Sequence, residues 1–118
     1  MKKWGLLTGA LLACAGAAIA LTEIKIQNNA FVPQYAVVVK GEMVQWTNLD
    51  VAVHTSTSDT GIWDSGDLRQ NQSFKRKFNQ TGTFPYHCKY HPTMKGTVRV
   101  TETAVAPTSF GRVRALFR

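Results

Sequence analysis

The chain has 118 residues, and fourteen Lys and Arg against seven Asp and Glu give it a formal charge of +7. That length holds one domain with one modest core. The basic balance favours acidic partner surfaces, but no basic stripe is interleaved with aromatics, so nucleic acid is excluded as a partner.

The chain opens on a short positive start, Met1-Lys2-Lys3. Trp4 to Leu12 is apolar with small residues, and Ala18-Ile19-Ala20 fits the small-x-small pattern of a signal-peptidase site. The apolar run is too short, and the chain after it too polar, to span a membrane, so no stable insertion is expected once it is removed. Residues 1–20 therefore read as a signal peptide that sends the chain to the periplasm. Leu11-Leu12-Ala13-Cys14 offers a competing reading, a lipoprotein box with Cys14 lipidated. Cleavage after Ala20 would leave one cysteine, Cys88, in an oxidising compartment. A lone thiol there is a liability unless it is buried and inert or bound to something.

From residue 21 onward, short runs of Val, Ile, Thr and aromatics alternate with turn residues, the pattern of β-strands. Ile24-Lys25-Ile26 alternates and stops at Asn28-Asn29, and Ala36 to Lys40 is Val-rich and closed by Gly41. Met43 to Thr47 ends at Asn48-Leu49-Asp50, with Val44 and Trp46 on its inward face. A strand-like stretch from His54 to Thr57 leads to a polar loop at Ser58 to Gly61. Ser73 to Phe78 follows, with Phe74 and Phe78 inward and Arg76 awkwardly on the same face. Thr83 to Cys88 puts Phe84, Tyr86 and Cys88 on one face and His87 on the other. Gly96 to Thr101 completes an all-β, Greek-key β-sandwich of about seven or eight strands, spanning residues 21–103. Glu102 to Ser109, with Pro107, reads as a linker, and residues 104–118 form a basic tail with three arginines among large apolar side chains.

The chemistry lies in Cys88-Lys89-Tyr90-His91-Pro92-Thr93-Met94, a Cys-x2-His-x2-Met string between two strands. A turn of that length folds back, so thiolate, imidazole and thioether can converge on one point. A thiolate with two imidazoles and a distant thioether selects copper for electron transfer. Zinc prefers four strong ligands, and methionine is a poor one. The second imidazole must come from the remaining histidines. His87 points away from Cys88 by strand alternation, which leaves His54. The candidate metal ligands are thus His54, Cys88, His91 and Met94.

Over Ile24 to Thr101 the chain resembles the cupredoxins, the small blue-copper family, and within them the amicyanin, pseudoazurin and plastocyanin group. The resemblance rests on Phe31-Val32-Pro33, on Gly41-Glu42-Met43-Val44-Gln45-Trp46-Thr47-Asn48, and on His54-Thr55 and Asp64-Ser65-Gly66. Gln72-Ser73-Phe74 and Gly82-Thr83-Phe84-Pro85-Tyr86-His87-Cys88 through Gly96-Thr97-Val98 extend it. The two-residue gap between His91 and Met94 is similar to that of amicyanin. Thr55 stands where plastocyanin-like proteins often have an Asn that bonds across to the cysteine loop, so that link is not carried over.

The resemblance implies one type 1 copper ion and a shuttle that exchanges single electrons between donor and acceptor proteins. It also implies transient docking near His91, with Pro33, Pro92 and Thr93 around it, and a monomer. An enzyme with a second copper centre would need more than the three histidines present. A copper-delivery protein without a redox partner is the alternative, and it would present exposed Met and His clusters.

Overall fold

Strands form here because every second side chain is apolar and two such faces can be buried against each other. The computed structural model describes residues 20–103, all-β and without a helix. The expected leader through residue 19 and the expected tail from 104 lie outside them. The strands are β1 (Leu21–Ile26), β2 (Phe31–Val32), β3 (Tyr35–Val39), β4 (Met43–Asn48), β5 (Thr57–Ser58), β6 (Ser73–Lys77), β7 (Gly82–Cys88) and β8 (His91–Thr101). They make two four-stranded sheets, ordered β2-β1-β4-β6 and β3-β8-β7-β5. Each sheet holds one parallel pair, β1 with β4 and β3 with β8, because the chain crosses between sheets after β2 and again after β3.

The β1–β2 hairpin turns at Asn28-Asn29, both at φ 56°, the left-handed pair that a type I′ turn requires and Asn tolerates. Gln27 and Ala30 close the turn by exchanging two backbone bonds.

Trp46 is the centre of the core and is fully buried. The rings of Trp63, Phe74, Phe78 and Tyr86 surround it at centroid distances of 5.7, 5.8, 6.4 and 5.4 Å. Truncating a ring so enclosed costs about 3–5 kcal/mol. The inward placement of Arg76 now has a cause: its guanidinium lies 5.2 Å from the Trp63 ring centre and 4.8 Å from that of Phe78. The cation caps the aromatic cluster with its charge against the ring faces.

Gly96 sits under the Tyr86 ring, and a Cβ there would lie 2.4 Å from Tyr86 Cζ and Oη. The close approach brings β7 and β8 together just below the Cys88 end. The Tyr86 hydroxyl and the Trp46 indole N–H are both buried without a hydrogen-bond partner. Burial pushes the Tyr86 phenol well above its ordinary range, and the nearby Trp46 N–H offsets this only slightly.

Candidate metal centre

β7 delivers Cys88 to the buried face at its end, and the β7–β8 register shifts between His87 and Cys88. Lys89-Tyr90 make the turn, and β8 begins at once with His91 and runs through Met94. The string expected on a loop is therefore a tight hairpin, with Met94 on the strand proper. His54 comes from the segment between β4 and β5, where it exchanges two backbone bonds with Leu68, at 3.1 and 2.8 Å. The expected strand from His54 to Thr57 is reduced to this bridge and the short β5.

The side chains of His54, Cys88 and His91 come together. Cys88 Sγ lies 3.6 Å from His54 Nδ1 and 3.6 Å from His91 Nδ1. One donor atom from each of the three residues falls within 4.8 Å of the others. The separations fit a shared ion: bonds of about 2.0–2.3 Å to nitrogen and sulfur, opened to a tetrahedral or trigonal angle, set the donors roughly 3.6–3.8 Å apart. Cys88 and His54 are fully buried, Met94 is 4% exposed, and His91 is half-buried. Cys88 is a free thiol. His87 lies outside the cluster, on the other face of β7, and pairs through Nδ1 with Asp59.

The layer behind these residues was less legible. Thr55 is fully buried, and its Oγ1 accepts the Lys89 N–H at 2.9 Å. The link between the segment after His54 and the cysteine loop is thus present, made by a hydroxyl. The same turn is held from outside by Lys89 Nζ on Asp64 at 2.8 Å and by the Tyr90 hydroxyl on Asp67. The Lys89 ammonium holds the Asp64 carboxyl below its usual range, and Asp64 in turn raises Lys89. Both groups are largely exposed, so the pair adds little to stability.

Asp50 was not singled out by any sequence signal, since its four-residue spacing from His54 lies in no helix. Its Oδ2 is 2.9 Å from His54 Nε2, and its two oxygens accept the N–H groups of Asn28 and Asn29 at 2.8 and 3.0 Å. Burial works against ionisation, but the two backbone bonds and the His54 ring together hold the carboxyl below its ordinary value. Asn48, fully buried, shapes the turn by accepting the Asp50 N–H and donating to Ala52 and Leu68 carbonyls.

Comparison with known proteins agrees with this picture. Residues 5–100 match the family described as "Cupredoxin-like domain". Amicyanin-alpha of Methylorubrum extorquens is 37% identical over 100 residues, covering 80% of this chain and 84% of that protein. A structure of the Cu(I) form of an amicyanin mutant superposes with a TM-score of 0.67 at 26% identity, over 76% of this chain and 90% of that one. A copper-containing nitrite reductase from Thermus scotoductus shares the fold alone, with a TM-score of 0.67 at 22% identity over 72% of this chain and 23% of its own. The chain belongs to the cupredoxin-like family. It is a copper electron-transfer protein, an electron carrier and not an enzyme, and its cofactor is one type 1 copper ion.

Proposed function

We propose that His54, Cys88, His91 and Met94 hold the copper, and that the chain shuttles single electrons between redox proteins in the periplasm. The observation that carries this is the convergence of one free thiol on two imidazole nitrogens, both at 3.6 Å. Bound copper would supply a one-electron Cu(I)/Cu(II) couple. Cys88 would give the thiolate, His54 and His91 the two imidazole nitrogens, and Met94 a thioether that would tune the potential.

His91 is the electron port, because it alone of the four is more than marginally exposed. Pro92 and Thr93 beside it are exposed, and a shallow hollow joins Thr93 and Met94 to Asn29, Ala30, Phe31 and Gln34. Pro33 is exposed as well. Docking there is small and short-lived, as a shuttle needs, and the carrier acts as a monomer. Copper delivery without a redox partner fits less well, since Met94 is buried and His54 and His87 are both engaged by carboxylates.

Residues 1–20 direct export and are then removed, and the mature terminus read by mass spectrometry tests whether cleavage falls after Ala20 or a lipid sits on Cys14. The decisive experiment on the site is Cys88→Ala. The wild type loaded with Cu(II) should show a strong visible thiolate-to-copper band, lost on reduction. An unchanged spectrum in Cys88→Ala would sink the assignment.

A further inference from the structure

His54 presents two faces. Nδ1 points at Cys88 Sγ, 3.6 Å away, and Nε2 meets the Asp50 carboxylate at 2.9 Å. A neutral imidazole has one donor nitrogen and one acceptor nitrogen, and a carboxylate can only accept. The proton therefore belongs on Nε2, and the lone pair is left on Nδ1, facing the thiol. Asp50 is itself fixed. The left-handed Asn28-Asn29 turn presents two successive N–H groups to its two oxygens, an anion-holding concavity made of backbone. Its own N–H is tied to Asn48 Oδ1 at 2.9 Å, and its side chain is 19% exposed. By contrast, the only hydrogen-bond contact of the His91 ring among the described residues is the one to Cys88.

We infer that Asp50 is a positioning residue for the copper site: it fixes the tautomer and orientation of His54 and sets a negative charge behind a buried ligand, so that the oxidised site is favoured. The inference rests on His54 being a copper ligand. A carboxylate behind a ligating imidazole makes it a stronger donor and stabilises the higher metal charge. The Asn28-Asn29 turn supplies the ordering, so the carboxylate needs no other cation to stay in place.

Two measurements test this. In the copper-free protein, 15N NMR of the neutral His54 ring should show its proton on Nε2 rather than Nδ1. A neutral ring carrying its proton on Nδ1 overturns the proposal without any variant. In the copper-loaded protein, Asp50→Asn keeps the shape and removes the charge, while Asp50→Glu keeps the charge and disturbs the fit. At a fixed solution potential, Asp50→Asn should shift the Cu(I):Cu(II) ratio about tenfold toward Cu(I), the effect of one partly screened unit charge a ring's width away. Asp50→Glu should stay much closer to wild type. If Asp50→Asn keeps the wild-type ratio, or if Asp50→Glu moves as far as Asp50→Asn, the charge has no such role. Absence of the visible band in wild-type protein would instead overturn the ligand assignment on which the inference stands.

Discussion

Thr55→Val removes one hydroxyl and keeps the shape of a fully buried side chain. The variant deletes the acceptor that Thr55 Oγ1 offers the Lys89 N–H at 2.9 Å, and a contact to Thr57 Oγ1 at 2.8 Å. Thr57 keeps a second partner in Asp64 Oδ1 at 3.2 Å, so only the Lys89 N–H is orphaned. Lys89 is exposed and water can approach its backbone, so the loss is nearer the net worth of one bond than a full desolvation penalty. That amounts to about 1–2 kcal/mol. For a domain of this size each kcal/mol lowers the melting temperature by about 4–8 °C, so the copper-free variant should melt roughly 4–16 °C early. The copper-free form is the right one to melt, because a metal that binds only the folded state adds its own stabilisation. Loss of an outer contact to a ligand loop should also weaken copper binding, by about 10–100-fold, read by competition with a chelator. Thr55→Ser separates the causes: it keeps the hydroxyl and loses the methyl. If Ser falls as far as Val, packing rather than the hydrogen bond holds the loop. If Val melts with wild type, the reasoning fails.

Met94→Leu keeps apolar bulk at a nearly buried position and removes the thioether, so copper should stay bound and the potential should rise in a redox titration. A potential that is unchanged or lower would count against an axial role. Gly96→Ala drives a Cβ into the Tyr86 ring and should lower stability to urea by about 1–3 kcal/mol; no change in the midpoint would mean the strands separate at little cost. The raised Tyr86 phenol is protonated more tightly in the folded state, so its contribution is complete below its ordinary value near pH 10 and is lost as pH rises past it. Phenolate absorbance should report Tyr86 only as the protein unfolds, and Tyr86→Phe should move alkaline unfolding to higher pH. Coincident alkaline midpoints would contradict that.

What was legible in the sequence was what depends on neighbours along the chain. Alternation placed Val44, Trp46, Tyr86 and Cys88 inward, and the Cys88-x2-His91-x2-Met94 string is contiguous enough to suggest a shared site, of which Cys88 and His91 are seen together. His54 could be reached only by elimination, and it lies with Nδ1 3.6 Å from Cys88 Sγ. The illegible parts are contacts between segments far apart. Asp50 meets the turn at Asn28-Asn29 some twenty residues earlier, and no local pattern announces such a meeting. Arg76 looked misplaced because period two says nothing about an aromatic face waiting opposite. Pro92 and Lys95 obscured the start of β8, whose pairing with β7 continues up to the Cys88 hairpin. Thr55 was read as a missing link because a family's residue type was compared rather than its bond.

The two imidazoles of the site serve different needs, and the fold treats them differently. His54 is buried, tied by backbone to Leu68 and by its ring to Asp50, so its position is set from the core outward. His91 opens a strand at a hairpin of two residues, half-buried, with its neighbours Pro92 and Thr93 in solvent. A carrier has to keep its ligand geometry constant between two metal charges, which favours rigid support and pre-set side chains. It must also bring one ligand close to a partner that binds and leaves within a small contact area. With His54 and His91 as the ligands proposed above, rigid support on the His54 side would meet the first need without restricting the second. The hairpin that carries Cys88 and His91 could not meet both by itself, since a turn exposed enough for docking is also exposed to distortion. The contacts of Thr55, Asp64 and Asp67 to that turn are the compensation: they fasten Lys89 and Tyr90 from the side and leave the His91 edge clear.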